Sequence, residues 1–283
     1  MYELSLCLRS HCKNNRGNMK NRYDRRRDDR RNEENDRNNE NLVIGRNAVR
    51  ELLKSSRSID KIFVAKGERE GSITMLVAKA IEAGVPVVEC EKQKLDMLSS
   101  GVVHQGIIAM AAAKEYVSVE RLVEIAEERG ESPLILIADG VEDPHNLGAI
   151  IRVAEGVGAH GLIIPKRRAV GVTSVVEKAS AGALEHLAVA KVANIASAVE
   201  KLKKLGVWIY AAEAGGTPYY DVDFSGPCAV VVGSEGFGVS KLVKDLSDFN
   251  VSIPMYGKVT SFNVACATSV IMCEAAKCHR KNK

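Results

Sequence analysis

Between Pro133 and Lys277, six short apolar runs alternate with stretches of helical periodicity, and that alternation constrains the fold more than any other feature of the chain. The runs are LILIAD (Leu134–Asp139), GLIIP (Gly161–Pro165), HLAVAKV (His186–Val192), VWIYAAEA (Val207–Ala214), CAVVVGSE (Cys228–Glu235) and FNVSIPM (Phe249–Met255). Helical stretches include Leu147–Val157, Ser174–Ala183, Ala193–Leu205 and Ser261–Lys277. Strict alternation of strands and helices predicts an α/β fold, a parallel sheet covered on both faces. Ligands in such sheets collect at the carboxyl ends of the strands.

A smaller α/β module is expected ahead of this block, from Leu42 to about Ala113. IGRNAVRELLKSS is amphipathic at a 3.6-residue period, KIFVAKG is a short apolar run and SITMLVAKAIEAG is helical again. VPVVEC and GIIAMAA then read as buried strands. His104-Gln105-Gly106 precedes the last of these, either as a ligand contact or as a polar turn. Residues 115–132 are charged and helix-prone, which predicts a short linker helix.

Residues 1–40 have a different character. Asn14–Asn41 is almost entirely Asn, Arg, Asp and Glu, and such a segment buries too little apolar surface to offset the entropy of ordering, so it reads as a disordered tail. Residues 1–40 hold 11 Lys and Arg against 8 Asp and Glu, most of the chain's net charge of +4. A polyanionic partner suits that balance, as does a simple solvated tail.

Other classes are disfavoured. No apolar run approaches the roughly 20 residues that cross a bilayer, and the first residues lack a cleavage signal, so a cytoplasmic location is expected. Seven scattered cysteines do not form a disulfide framework, and Cys273, Cys278 and His279 lack a second CxxC pair, so no metal is expected.

Three strand-ending loops carry the chemistry. In DGVEDPHNLGAIIRVAEGVGA, Asp143 or Asn146 caps a helix or holds a ligand. Arg152 lies among Ile150, Ile151, Val153 and Ala154, a setting that calls for a phosphate or carboxylate partner, with a buried structural ion pair as the alternative. In CAVVVGSEGFGVSK the glycines Gly233, Gly236 and Gly238 admit close approach of a ligand to the backbone, or make a tight turn. Their GxxGxG spacing fails both the dinucleotide fingerprint and the phosphate-binding loop. In SIPMYGKVTSFNVACATSVIMCEAAK, Ser261 is placed to cap the last helix, while Asn263 is a poor helix former whose side chain should bond elsewhere.

Taken together and in order, DPHNLGAIIRVAE, VVGSEGFGVS and IPMYGKVTSFNVACA resemble the SpoU family of RNA ribose methyltransferases, over residues 133 to 277. The resemblance implies a trefoil-knotted C-terminal domain, residues 133–283. It also implies S-adenosyl-L-methionine as cofactor, a ribose 2'-hydroxyl of RNA as acceptor and a homodimer. The module at 41–114, with VIGRNAVRELL and HQGI, is similar to the substrate-binding domain of the branch that modifies large-subunit ribosomal RNA. That likeness favours a guanosine of 23S ribosomal RNA over transfer RNA.

By the same likeness, Asn146, Arg152, Glu235, Ser261 and Asn263 form the catalytic set, and Gly233, Ser234, Ile253, Met255, Phe262 and Val264 contact the cofactor. Phe262 replaces the family's usual Leu and Cys266 a common Ser. Arginine almost never gives up its proton. Arg152 is therefore read as a phosphate clamp that stabilises the developing alkoxide, with Glu235 orienting Arg152 or a loop, and Asn146, Ser261 and Asn263 positioning ribose and cofactor. The general base is left open, a substrate phosphate among the choices. A knotted RNA-binding protein without chemistry is the competing reading, and a nicotinamide oxidoreductase is disfavoured by the missing fingerprint.

Overall fold

The computed structural model describes residues 41–67 and 71–281. The tail expected at residues 1–40, with Cys7 and Cys12, lies outside the described residues.

The first sheet has the order β1-β4-β2-β3, formed by β1 (Leu42–Ile44), β2 (Ile59–Ala65), β3 (Val87–Cys90) and β4 (Ile107–Ala111). β4 runs antiparallel to both neighbours, and β2 and β3 are parallel. Period-two alternation divides the side chains between two cores. Val43, Ile62, Val64, Ile107 and Ala109 face α1 (Arg46–Leu52) and α2 (Gly71–Glu82), whereas Leu42, Ile44, Phe63 and Ile108 face α3 (Lys92–Ser99). β1 and α3 are absent from the sequence reading, and β3, expected buried, lies at the sheet edge with Val88 exposed.

His104 is structural. Its Nδ1 accepts from the Gly106 N–H at 3.0 Å and its Nε2 faces Asp96 Oδ1 at 3.0 Å. Gln105, held at φ 53°, accepts from Arg46 N at its side chain and from Arg46 Nε at its carbonyl, which satisfies the open end of α1.

The second sheet comprises β5 (Leu134–Asp139), β6 (Gly161–Pro165), β7 (Val189–Val192), β8 (Trp208–Pro218), β9 (Cys228–Gly233) and β10 (Phe249–Ser252). Its order is β10-β8-β9-β5-β6-β7 and every pairing is parallel. Leu134, Leu136 and Ala138 pack on α5 (Pro144–Gly156), α6 (Ser174–Ala179) and α9 (Val264–Lys281). Ile135 and Ile137 pack on α4 (Val119–Glu128), α7 (Ile195–Lys204) and α8 (Lys241–Leu246). A parallel sheet with helices on both faces is thus what the apolar runs encode.

Alternation is not strict, however. Between β8 and β9 stands only a short turn of 3-10 helix, Tyr219–Asp221, in a segment bracketed by Pro218 and Pro227. The helix expected as a linker at 115–132 is α4; its Val119, Leu122, Val123 and Ala126 are buried in the second core, and Val117 bridges to Ala190 at the sheet edge.

The two sheets meet through a buried charge cluster. Arg57 Nη1 donates to Glu177 Oε1 and to Glu185 Oε1, both at 2.7 Å, with side-chain exposures of 7%, 2% and 1%. Burial, and then the hydrogen bond shared with Glu185, push the Glu177 carboxyl well above its usual range. Burial acts the same way on Glu185, but the bond from Glu177 and the charges of Arg57 and Lys114 bring it below. One shared proton on Glu177 therefore leaves one carboxylate facing the guanidinium, a balance that buried charges require.

Candidate active site

All three candidate loops leave the carboxyl ends of the second sheet. Asp139, the last residue of β5, accepts from the Ser240 N–H at 2.9 Å and so ties the β9 loop to the start of the β5 loop. Asp143 is the cap of α5, its Oδ1 accepting from the N–H groups of His145 and Asn146. That leaves the Asn146 side chain free for other bonds.

Asn146 spends that freedom on the other two loops. Its Nδ2 donates to Glu235 Oε1 at 2.5 Å. Asn263 Nδ2 donates to Asn146 Oδ1 at 2.9 Å and to Glu235 Oε1 at 3.1 Å. The last helix begins at Val264, and Asn263 rather than Ser261 caps it, its Oδ1 accepting from the Ala265 N–H at 2.9 Å. One asparagine therefore holds both a helix end and two distant loops.

Beside this triad opens a cleft of about 650 Å³ between the ends of β8, β9 and β10 and the start of α9. All six residues expected at the cofactor, Gly233, Ser234, Ile253, Met255, Phe262 and Val264, line it, together with Glu235, Ser261 and Asn263. Apolar walls with a few convergent polar groups are the usual makeup of a small-molecule pocket of this size. Sequence reasoning missed Glu213 and Thr260, which also line the cleft. Glu213 was detectable as the one acid in the apolar run VWIYAAEA; the structure pairs it with Lys244 at 2.8 Å.

One expectation, the setting of Arg152, needs correction. Arg152 is not enclosed among apolar neighbours; it is exposed and makes no hydrogen bond or ion pair among the described residues. It lies six residues beyond Asn146, which turns it to a different face of α5. Of the two partners open to Glu235, Arg152 or a loop, its bonds go to the loops, through Asn146 and Asn263. Gly233 is glycine for an intramolecular reason, because a β-carbon there would overlap the backbone of Gly238 and Val239 where the loop folds back through the Ser234–Gly238 bridge.

Residues 133–273 match the SpoU rRNA methylase family, and residues 42–117 match the RNA 2'-O ribose methyltransferase substrate-binding family. The Bacillus subtilis protein YacO, named for the TrmH family of tRNA/rRNA methyltransferases, is 45% identical over 233 residues, 82% of this chain and 93% of that one. A TrmH-family relative from Staphylococcus haemolyticus is 42% identical over 82% of this chain and 94% of its own length. Among solved structures, a TrmH-family protein from Porphyromonas gingivalis superposes with a TM-score of 0.65 at 27% identity, covering 83% of this chain and 88% of that one. The fold is also that of the SpoU methyltransferase AviRb from Streptomyces viridochromogenes, solved with AdoMet, with a TM-score of 0.70 at 24% identity over 86% of this chain and 91% of that chain.

Proposed function

We propose that this chain, which belongs to the SpoU (TrmH) family of RNA methyltransferases, methylates a ribose 2'-hydroxyl of RNA, a guanosine of 23S ribosomal RNA above transfer RNA. The carrying observation is the convergence of Asn146, Glu235 and Asn263 from three loops at the rim of one cleft. Ribosomal RNA is favoured by the match of the first module to a ribose methyltransferase substrate-binding family. RNA as substrate also accords with a cytoplasmic location.

The cleft suits S-adenosylmethionine by its makeup: apolar Val232, Ile253 and Ile271 offer a surface for a flat base, while Ser234, Thr260 and Ser261 offer polar groups. When bound, that cofactor supplies an electrophilic methyl group. The chain's own task is to hold a hydroxyl oxygen in line and to ease loss of its proton. Glu235, bonded to two amides, serves as the fixed centre of the three loops; Asn146 and Asn263 orient the ribose, and Ser261 the cofactor. Arg152 clamps a phosphate and stabilises the developing alkoxide.

Because Arg152 lies outside its own triad, we place its action across a homodimer, where it completes the partner's site. Supporting this, Phe237 and Tyr256 stand 94% and 91% exposed on the loops around the cleft, large apolar surface of the kind a second copy covers. We infer the trefoil knot from the family to which the chain belongs. β9 enters between β8 and β5, and the chain then passes from α8 on one face, through β10, to α9 on the other.

The test is transfer of labelled methyl from S-adenosylmethionine to RNA extracted from cells lacking this protein, followed by mapping of ribose methylation. One 2'-O-methylated position in 23S RNA is expected. Label confined to transfer RNA would reassign the substrate, and binding of RNA without any transfer would make the protein a non-catalytic binder.

A further inference from the structure

The loop after β6 carries Lys166, Arg167 and Arg168, consecutive, exposed and without a hydrogen bond or ion pair from their side chains among the described residues. Nothing in the catalytic assignment above uses them. Three adjacent exposed cations raise the local positive potential, which attracts an anion.

The loop is pinned at both ends. Lys166 N–H donates to the Val192 carbonyl at 2.8 Å, and Val170 N–H donates to the Val141 carbonyl at 3.0 Å. Between these anchors Arg168 sits at φ 57°, a left-handed conformation that disfavours residues with a β-carbon. Such a conformation persists only where the surroundings impose it, and here it sets the path of the backbone that carries the three cations.

Its position is next to the chemistry. Gly140, which follows Asp139, is flanked by the Arg168 carbonyl on one side and by Ser234 on the other; each lies 3.7 Å from where a β-carbon on Gly140 would stand. Ser234 adjoins Glu235 in the triad. Lys191 extends the charge at the same strand end: its Nζ rests 4.9 Å from the Tyr116 ring centre and 3.5 Å from where a β-carbon on Gly171 would stand. Glu142, exposed and adjoining the Val141 that anchors the loop, pairs with none of these cations.

We infer that Lys166, Arg167 and Arg168, backed by Lys191, form a preorganised clamp for the phosphodiester backbone of the substrate RNA beside the target ribose. The inference rests on the RNA methyltransferase reading above. A polyanion is the ligand class that matches a row of fixed, unpaired cations, since each phosphate neutralised releases a counterion. Its place at the sheet's carboxyl edge sets a strand of RNA across the mouth of the triad, so the clamp acts on RNA affinity and leaves the cofactor cleft alone.

The experiment uses the full chain, RNA extracted from cells lacking this protein, and the triple variant Lys166→Ala, Arg167→Ala, Arg168→Gly. Glycine at 168 removes charge while accepting the left-handed backbone. The expected result is a KM for RNA raised at least about tenfold and a slope of log KM against log salt shallower by about 2 units, as loss of three phosphate contacts to a single strand requires. S-adenosylmethionine affinity, measured by calorimetry, stays as in the parent protein. Arg167→Lys with Arg168→Lys, which keeps the charge, restores the RNA KM. An unchanged RNA KM and salt slope in a folded triple variant would overturn the clamp, as would an equal loss of S-adenosylmethionine binding. If the parent protein itself transfers no methyl to any RNA, it is the underlying enzymatic reading that fails.

Discussion

Asn263 donates from its side-chain amide to Asn146 Oδ1 across 2.9 Å, linking residues separated by 117 positions, while its own Oδ1 caps the last helix. The two functions can be separated. Asn263→Asp keeps the capping oxygen but replaces the donor with a second carboxylate oxygen facing Glu235. Methyl transfer is expected to fall by about 10²-fold or more, the scale on which loss of one preorganised donor acts. Thermal stability should change little. Near-normal transfer by this variant would remove the triad from the mechanism.

Arg152→Ala is expected to abolish transfer and leave S-adenosylmethionine binding intact, because the side chain does not line the cleft. Mixing settles whether it acts across a dimer. Heterodimers of Arg152→Ala with Asn146→Ala contain one fully intact composite site if Arg152 serves the partner, so an equal mixture recovers about a quarter of normal activity in a two-fold dimer. Action within one chain leaves every site defective and recovers nothing.

How much of this was legible beforehand differs by element. The second sheet was readable because its central strands β5, β6 and β9, buried on both faces, are continuous apolar runs. β1 was not, because its three residues abut a helix and show no period of their own. Composition of the cleft was readable from three loops in order, whereas the geometry of Arg152 was not: a run such as AIIRVA does not reveal which face an arginine takes until the packing of its helix is known. Glu177 and Glu185 look like ordinary helix-surface acids in VVEKASAGALE, and only the approach of Arg57 from more than a hundred residues away buries them.

That burial has a measurable pH signature. Glu177 holds its proton to higher pH in the folded chain than in the unfolded one, whose carboxyl titrates near its usual 4.5. Between that value and the raised one the folded state binds more protons, so stability declines as pH rises through the window. Glu177→Gln mimics the protonated acid and should flatten the decline, with a Tm at or above that of the parent chain at pH 8. A parallel pH dependence in both proteins would refute the shared proton. Arg57→Ala, by contrast, strands the acids and should cost about 3–5 kcal/mol.

Gly148 offers a test of packing against propensity. Alanine is favoured over glycine in a helix by about 1 kcal/mol, so local preference alone makes Gly148→Ala stabilising. A β-carbon there would overlap that of Ala179 and stand 2.9 Å from the Val176 carbonyl, because α5 and α6 touch at this point. Overpacking costs about 1–3 kcal/mol, and a drop in Tm of a few degrees, read by calorimetry, is the expected outcome. A rise would show that the two helices separate freely.

The charge cluster at Arg57 reaches beyond stability. A module bolted to the catalytic sheet through buried acids cannot swing as a tethered one would, so it works as a ruler. Anything that the first module holds would therefore sit at a set span from the cleft.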